Sequence, residues 1–361
     1  MIANTDRRAF DVVEITNEMP LNRTGGVGTV IESLMSGLAS EGIAALWFVT
    51  DHGYNPAQAG EILRRFPDVA IGAVDDLERF AAPIAHVHSY QENPALANYV
   101  AGRKAACTIH SLLAMEEVSN DVCLGDAVAW QERLIARSAC AVVLSQSERE
   151  KYRMLGYDRL NPCVRVIHNG VRCPSRFRAP RGKRVLGYCG RLVPRKHPEY
   201  VQWILNEPGF EECRVLIAGR GFSPYARDLL RDRNVDDRVD FLGWCAGDRL
   251  EAFFDRIDML AVPSIYEPFG LVAIEAAARG IPVVCTAIDG LVEAMGRHAF
   301  YCADTTFAAF STAMQAWRSA TPGELAARAR DARRRYERRF TDRLMGRRYG
   351  RLFKALASND R

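Results

Sequence analysis

Short apolar runs alternate with amphipathic stretches along most of the chain. Residues 10–16 read as a strand. Residues 28–40 read as a helix with Ile31, Leu34 and Leu38 on one face, ended by Gly42. Strands at 43–50, 84–88, 105–110, 141–145 and 164–168 then alternate with helices at 75–81, 94–101, 124–137 and 147–155. Residues 172–183 interrupt the rhythm. They carry Pro174, Pro180 and four arginines without periodicity, as a linker would. The alternation resumes with strands at 185–189, 214–218, 239–242, 259–262 and 282–285, and helices at 197–205, 224–231, 248–254 and 271–279. An Arg-rich helical stretch, 322–356, closes the chain. Strands separated by single helices predict βαβ units and parallel sheets. The pattern therefore predicts an α/β protein with two doubly wound domains, residues 1–172 and 184–339, joined by a linker at 173–183.

Composition agrees with two globular cores. The chain has 361 residues, 48% of them hydrophobic and 25% charged. The net charge of +4 hides an asymmetry. Residues 321–361 hold thirteen Lys/Arg against five Asp/Glu, a local +8, so the remainder sums to −4. Charge alone would allow a nucleic-acid arm there. No secretory leader or membrane-length apolar run is legible, which makes a cytoplasmic location the expectation. Ten scattered cysteines form no C-x-x-C pair and no zinc spacing, so reduced core thiols and no metal are expected.

In doubly wound sheets, ligands bind beyond the carboxyl ends of the strands. Three post-strand loops stand out. The first, Arg23-Thr24-Gly25-Gly26-Val27-Gly28, allows close backbone approach at a helix start, as an ordinary turn also would. The second, Gly190 to Lys196, places Arg191 and Lys196 beside a strand end, where two cations suit a diphosphate. The third, Pro263 to Gly270, leads into the helix beginning at Leu271, whose free N–H groups and dipole favour an anion. Glu275, one turn in, would oppose a phosphate and suits ribose hydroxyls instead. Glu267 can serve a sugar ring in the same way.

These residues lie in "EPFGLVAIEAAARGIPVV", whose Glu267-x7-Glu275 spacing resembles the signature of retaining glycosyltransferases of the GT4/glycogen-synthase type, with the GT-B fold. "RTGGVG", "IAHVHS", "IHNGV", "GRLVPRK", "VLIAGRG" and "FLGW" resemble further segments of that family in the same order. The resemblance implies two Rossmann-like domains facing a central cleft, the first an acceptor domain and the second a donor domain. A final helix, 340–361, would cross back to complete the first. It implies that Arg191 and Lys196 bind the donor diphosphate. The backbone at Phe269, Gly270 and Leu271 would hold phosphate and sugar, Glu275 the ribose, and Glu267 the sugar. Gly26 would let the first-domain loop approach the donor. His110, in "CTIHSLL", would reach the reacting centre, and His88 and Arg23 would lie on the acceptor side. Three positions depart from the family pattern: His197 follows Lys196 where glycine is usual, Arg220 replaces an acid, and Asp289 replaces a glycine.

The expected reaction is transfer of a hexosyl unit from a nucleotide diphosphate sugar, UDP before GDP, to a hydroxyl of a glycan, glycolipid or small molecule. Configuration would be retained, without metal or other cofactor. Two alternatives are a non-catalytic nucleotide-sugar-binding protein and a nicotinamide oxidoreductase. The second would need a G-x-G-x-x-G fingerprint that neither half contains. With the resemblance, the basic tail no longer suggests nucleic acid. It reads as a solvated helix face or as peripheral contact with anionic lipid at the inner face of a membrane.

Overall fold

The computed structural model describes residues 9–18, 26–50, 56–80, 82–88, 94–172, 176–180, 182–221, 223–232 and 237–358. Contacts divide the chain into two compact units. The first comprises residues 1–114, 123–172 and 341–361, the second residues 115–122 and 173–340. Residues 115–122, expected in the first domain, thus group with the second unit. So does the expected linker. There Arg178 Nη2 donates to the carbonyls of Phe254 and Ile257, at 3.0 and 2.6 Å.

The first half of the chain forms β1 (Val12–Thr16), α1 (Val27–Ser40), β2 (Ala45–Thr50), α2 (Pro56–Arg65), β3 (Val69–Gly72), β4 (Ile84–Val87), α3 (Pro94–Val100), β5 (Ala105–Ile109), α4 (Leu113–Asn120), α5 (Gly125–Arg137), β6 (Cys140–Val143), α6 (Gln146–Met154) and β7 (Val164–Val166). Its seven strands are all parallel, in the order β3-β2-β1-β4-β5-β6-β7. Strands β1 to β6 are buried along their whole length, which is why they read as continuous apolar runs. The strand order reverses between β1 and β4, so the loops after these strands flank the switch point where ligands bind such sheets.

The second half forms β8 (Val185–Cys189), α7 (Glu199–Trp203), β9 (Arg214–Ala218), α8 (Pro224–Asp232), β10 (Val239–Gly243), α9 (Asp248–Arg256), β11 (Met259–Val262), α10 (Leu271–Arg279), β12 (Val283–Thr286), α11 (Asp289–Met295), β13 (Phe300–Cys302), α12 (Phe307–Ser319), α13 (Pro322–Arg339) and α14 (Asp342–Ser358). Its six parallel strands run β10-β9-β8-β11-β12-β13, with the switch point between β8 and β11. One face is packed by Phe210, Phe310, Met314 and Trp317 against Tyr188, Ile217 and Val284.

The closing helical stretch is two helices, not one. Helix α13 starts in a capping box between Thr321 and Glu324 and stays in the second unit. Phe340 ends it and packs edge-on to Phe269. Thr341 then bridges to Val171, and α14 packs in the first unit against α1. The contact is close because two glycines meet. A Cβ on Gly346 would lie 2.1 Å from the Gly37 carbonyl carbon. The buried face of α14 is Met345, Gly346, Tyr349, Gly350 and Phe353.

Several tail arginines point inward. Arg335 donates from Nε to the Ala294 carbonyl at 2.8 Å and from Nη2 to that of Glu293 at 2.6 Å, while Arg333 donates to the Ala278 carbonyl. These carbonyls close α10 and α11, where cations offset the helix dipole. Part of the tail charge therefore holds the second unit together rather than facing water.

Candidate functional site

In the second unit the candidate residues follow β8 and β11, the two strands at the switch point. After β8 the backbone makes a single 3-10 turn, Pro194–Lys196. Lys196 Nζ lies 2.7 Å from Glu267 Oε2, and both side chains are largely buried. Burial pulls the Lys196 pKa down while Glu267 pulls it up, and the net shift is downward. Burial also works against ionising Glu267, but Lys196, then Arg195, hold its carboxyl below the usual range. The pair is therefore an ion pair at neutral pH. The Glu267 carbonyl accepts from Gly290 N–H at 3.2 Å, and its N–H donates to Asp289 Oδ2 at 3.4 Å.

Gly270 precedes α10 with φ +85, a left-handed conformation, and a Cβ there would meet Leu291 at 2.6 Å. Phe269 is buried, Leu271 is the first helical residue, and Glu275 is buried in the next turn. The Cys189 thiol, at the end of β8, has its pKa raised by burial and then by Glu275, which places that carboxylate near the strand end. Two of the three departures from the family pattern have a backbone account. His197 and Asp289 both sit at φ +43, where an L side chain is strained and glycine is favoured. His197 offsets this by stacking on Tyr200, ring centroids 4.4 Å apart, and by bonding Glu199 at 2.7 Å. Arg220 lies over the Trp244 ring, 5.2 Å from its centroid.

A second acidic anchor was not singled out from sequence. Glu116, on α4, is buried and takes Arg191 at 3.0 Å and Arg195 at 2.8 Å. Arg195 is only 3% exposed and also donates to the Tyr266 carbonyl at 2.7 Å. Arg191 is the more open of the two, at 40% side-chain exposure.

In the first unit, Gly26 lies at the N-cap of α1, and Arg23 lies outside the described residues. Glu18, also missed from sequence, accepts from Gly28 N–H at 2.6 Å and so places a carboxylate at the positive end of α1. His88 and His110 follow β4 and β5 and meet each other, Nδ1 to Nε2, at 2.9 Å. His88 is fully engaged. Its Nε2 lies 2.7 Å from Glu14 Oε2, and the same oxygen takes His86 Nδ1 at 2.6 Å. Glu14 and His86 are cross-strand partners in register, so the carboxylate and imidazole share one face of the sheet. On the far side of His86, Nε2 meets Thr108 Oγ1 at 2.7 Å, which in turn meets Tyr349 OH of α14 at 2.9 Å. Burial opposes ionisation of Glu14, but His86 and His88 outweigh it and hold its pKa at about 2. Burial, then His86, lowers the His88 pKa to about 4. Burial and the neighbouring imidazoles push His110 well below 6.5.

Glu14, His86 and His88 are of metal-ligating types, with ligand atoms within 4.8 Å of one another. Their oxygen–nitrogen separations of 2.6 and 2.7 Å are hydrogen-bond lengths. Ligands about 2.0–2.1 Å from a tetrahedral zinc stand roughly 3.3 Å apart. The set as it stands is a hydrogen-bonded cluster, not a cage around an ion. Its sequence signal was a lone Glu and a lone His inside apolar strand runs, since a buried polar group demands a partner.

The family model described as "Glycosyl transferases group 1" matches residues 174–335, and that described as "Glycosyltransferase Family 4" matches residues 24–173. The chain belongs to this glycosyltransferase family. It is 32% identical over 187 residues to an uncharacterised glycosyltransferase of Methanocaldococcus jannaschii, covering 46% of this chain and 47% of that one. It is 36% identical over 184 residues to glycogen synthase of Mycobacterium tuberculosis, covering 48% and 44%. The chain thus spans about half the length of the curated relatives it matches. The solved structure of Anabaena HepE in complex with UDP and glucose superposes with a TM-score of 0.76 at 17% identity, over 96% of this chain and 100% of that one. Two parallel sheets with this likeness make the fold GT-B, with two Rossmann-like domains. Among the described residues, no helix is long and apolar enough to cross a membrane.

Proposed function

We propose that this family member transfers a hexosyl unit from a nucleotide diphosphate sugar to an acceptor hydroxyl with retention of configuration. The observation that carries the reading is the Lys196–Glu267 pair beside the N-terminus of α10, in a chain of this family. Breaking the sugar–phosphate bond leaves a diphosphate whose charge must be neutralised. Lys196 and Arg191 supply cations, and the N–H groups at Gly270 and Leu271 supply a helix terminus. These groups do the neutralising work without a metal. Phe269 fixes the loop, Glu275 accepts from the ribose hydroxyls, and Glu267 accepts from the sugar once Lys196 turns to phosphate. In the first unit, His110 is assigned to the reacting centre, Gly26 to close approach by backbone, and His88 and Arg23 to the acceptor side. The departing phosphate helps remove the acceptor proton in a front-face attack.

A UDP-sugar is the preferred donor, supported by UDP and glucose in HepE; ADP in a starch synthase of the same fold keeps the base open. A glycan, glycolipid or small molecule fits as acceptor, and the protein works in the cytoplasm. Incubation with a panel of nucleotide sugars, reading released nucleotide by mass spectrometry, tests the reading. Release from one donor, lost in Lys196→Ala, is the expected result. Binding without release under any acceptor would favour a non-catalytic sugar-nucleotide binder. Contact of the basic tail with an inner membrane face is tested by sedimentation with vesicles, where binding should require anionic lipid.

A further inference from the structure

We propose that Glu14, acting through His88, fixes which ring nitrogen of His110 carries the proton, so that His110 offers a bare Nδ1 to its ligand. Glu14 and His88 are then positioning residues. The ligand group that suits this arrangement is a hydroxyl that donates, as a sugar hydroxyl does. The functional role of His110 rests on the proposed reaction; the assignment of its proton does not.

The argument is an accounting of donors and acceptors. An ionised carboxylate only accepts. Glu14 Oε2 faces His88 Nε2 at 2.7 Å and His86 Nδ1 at 2.6 Å, so both nitrogens carry hydrogens aimed at it. Their own 3.1 Å separation follows from sharing one oxygen. His88 is neutral above about pH 4, because burial, then His86, outweigh the pull of Glu14 toward the charged form. With the proton on Nε2, its Nδ1 is a bare lone pair. That lone pair lies 2.9 Å from His110 Nε2, so His110 must donate through Nε2. His110 is neutral too, its pKa held down first by burial. Its Nδ1 is therefore bare, and it makes no hydrogen bond to a described residue. Every bond in the branch points the same way, from His110 to His88 to Glu14.

The other branch braces the carboxylate. Thr108 holds the far nitrogen of His86 and is itself held by Tyr349 OH, and the His86 ring lies 4.9 Å from that of Tyr349. Glu14 itself sits mid-strand between β2 and β4 and is wholly buried. The direction of the chain is thus set by one buried charge on the central strand.

The test uses the full chain labelled with 15N in histidine. Long-range proton–nitrogen correlation spectra near pH 7 should show His88 and His110 neutral, each protonated on Nε2. Glu14→Gln is nearly isosteric but offers an amide that can donate. It should give His110 a mixture of tautomers. In transfer assays it should lower kcat about tenfold or more, with donor KM changed by no more than about twofold. The proposal is overturned if wild-type His110 carries its proton on Nδ1 or is charged. It is also overturned if Glu14→Gln leaves the tautomer unchanged, or if the purified protein holds one equivalent of metal on these nitrogens. The wild-type spectrum decides even if the variant does not fold. Absence of turnover with every donor, beside the expected tautomers, would count against the proposed reaction alone.

Discussion

Lys196 Nζ and Glu267 Oε2, both assigned to the sugar-nucleotide donor, stand 2.7 Å apart and neutralise each other. In the proposed reaction this pair would keep the cation against an internal carboxylate until a phosphate competes for it. Replacing Lys196 by Ala leaves Glu267 largely buried and unpaired, which costs about 3 kcal/mol when one partner of a buried pair is removed. Thermal melts should show that loss, and calorimetry should show weaker binding of the nucleoside diphosphate. Glu267→Gln keeps a hydrogen-bond acceptor, so it should melt closer to wild type and bind the diphosphate at least as well. Equal melting of Lys196→Ala and wild type would refute the pairing.

Glu116 carries two guanidinium groups, one of them almost wholly buried. Glu116→Ala should destabilise the second unit by about 3 kcal/mol, because Arg195 is left as an uncompensated buried charge. Glu116→Gln should cost less. Denaturant melts of the two variants would rank them, and a harmless Glu116→Ala would show that Arg195 finds another partner.

The glycine contact between α1 and α14 makes a steric prediction. In Gly346→Ala the new Cβ would collide with Gly37 backbone, 2.1 Å away. The helices must separate, at about 2 kcal/mol for an overpacked core contact. Limited proteolysis should then cut the C-terminal helix earlier than in wild type, while Gly323→Ala, which meets only Thr321 Oγ1 at 4.0 Å, should not change the pattern. An unchanged cleavage rate in Gly346→Ala would contradict this packing.

Acid should weaken the first unit in two stages. His88 and His110 have folded pKa values below the ordinary 6.5. Below pH 6.5 the unfolded chain binds protons that the folded chain refuses, at His88 down to about pH 4, so stability falls with pH. The slope is about 1.4 kcal/mol per pH unit for each such histidine. Glu14, depressed from 4.5 to about 2, gives stability that is present above pH 4.5 and is lost as pH falls toward 2. Denaturant melts from pH 7 to 4 would measure the first stage. A His88→Gln variant should flatten the slope by about one proton's worth; an identical slope would show that His88 is not buried neutral.

The sequence by itself determined the layered architecture and the family. Periodicity marks β8, β9 and β11, and the apolar run from Leu271 marks α10, because buried parallel strands and an amphipathic helix leave unmistakable patterns. It did not mark α2, β3, α4, α11, α12 or β13, which are short, edge-lying or mixed in composition and read as loops. Nor did it show the break at Phe340–Thr341. Arg-rich residues favour helix on both sides, and the break comes from Phe340 packing in one unit while Thr341 bridges in the other. The motif residues Lys196, Glu267 and His110 were legible as chemistry-bearing types after strands. What only the tertiary structure decided is whom they meet. Glu14 and His88 are 74 positions apart, and Glu116 and Arg195 are 79 apart, so no local pattern connects them. Strand register and helix packing bring each pair together, and there burial makes a charge without a partner too costly to keep.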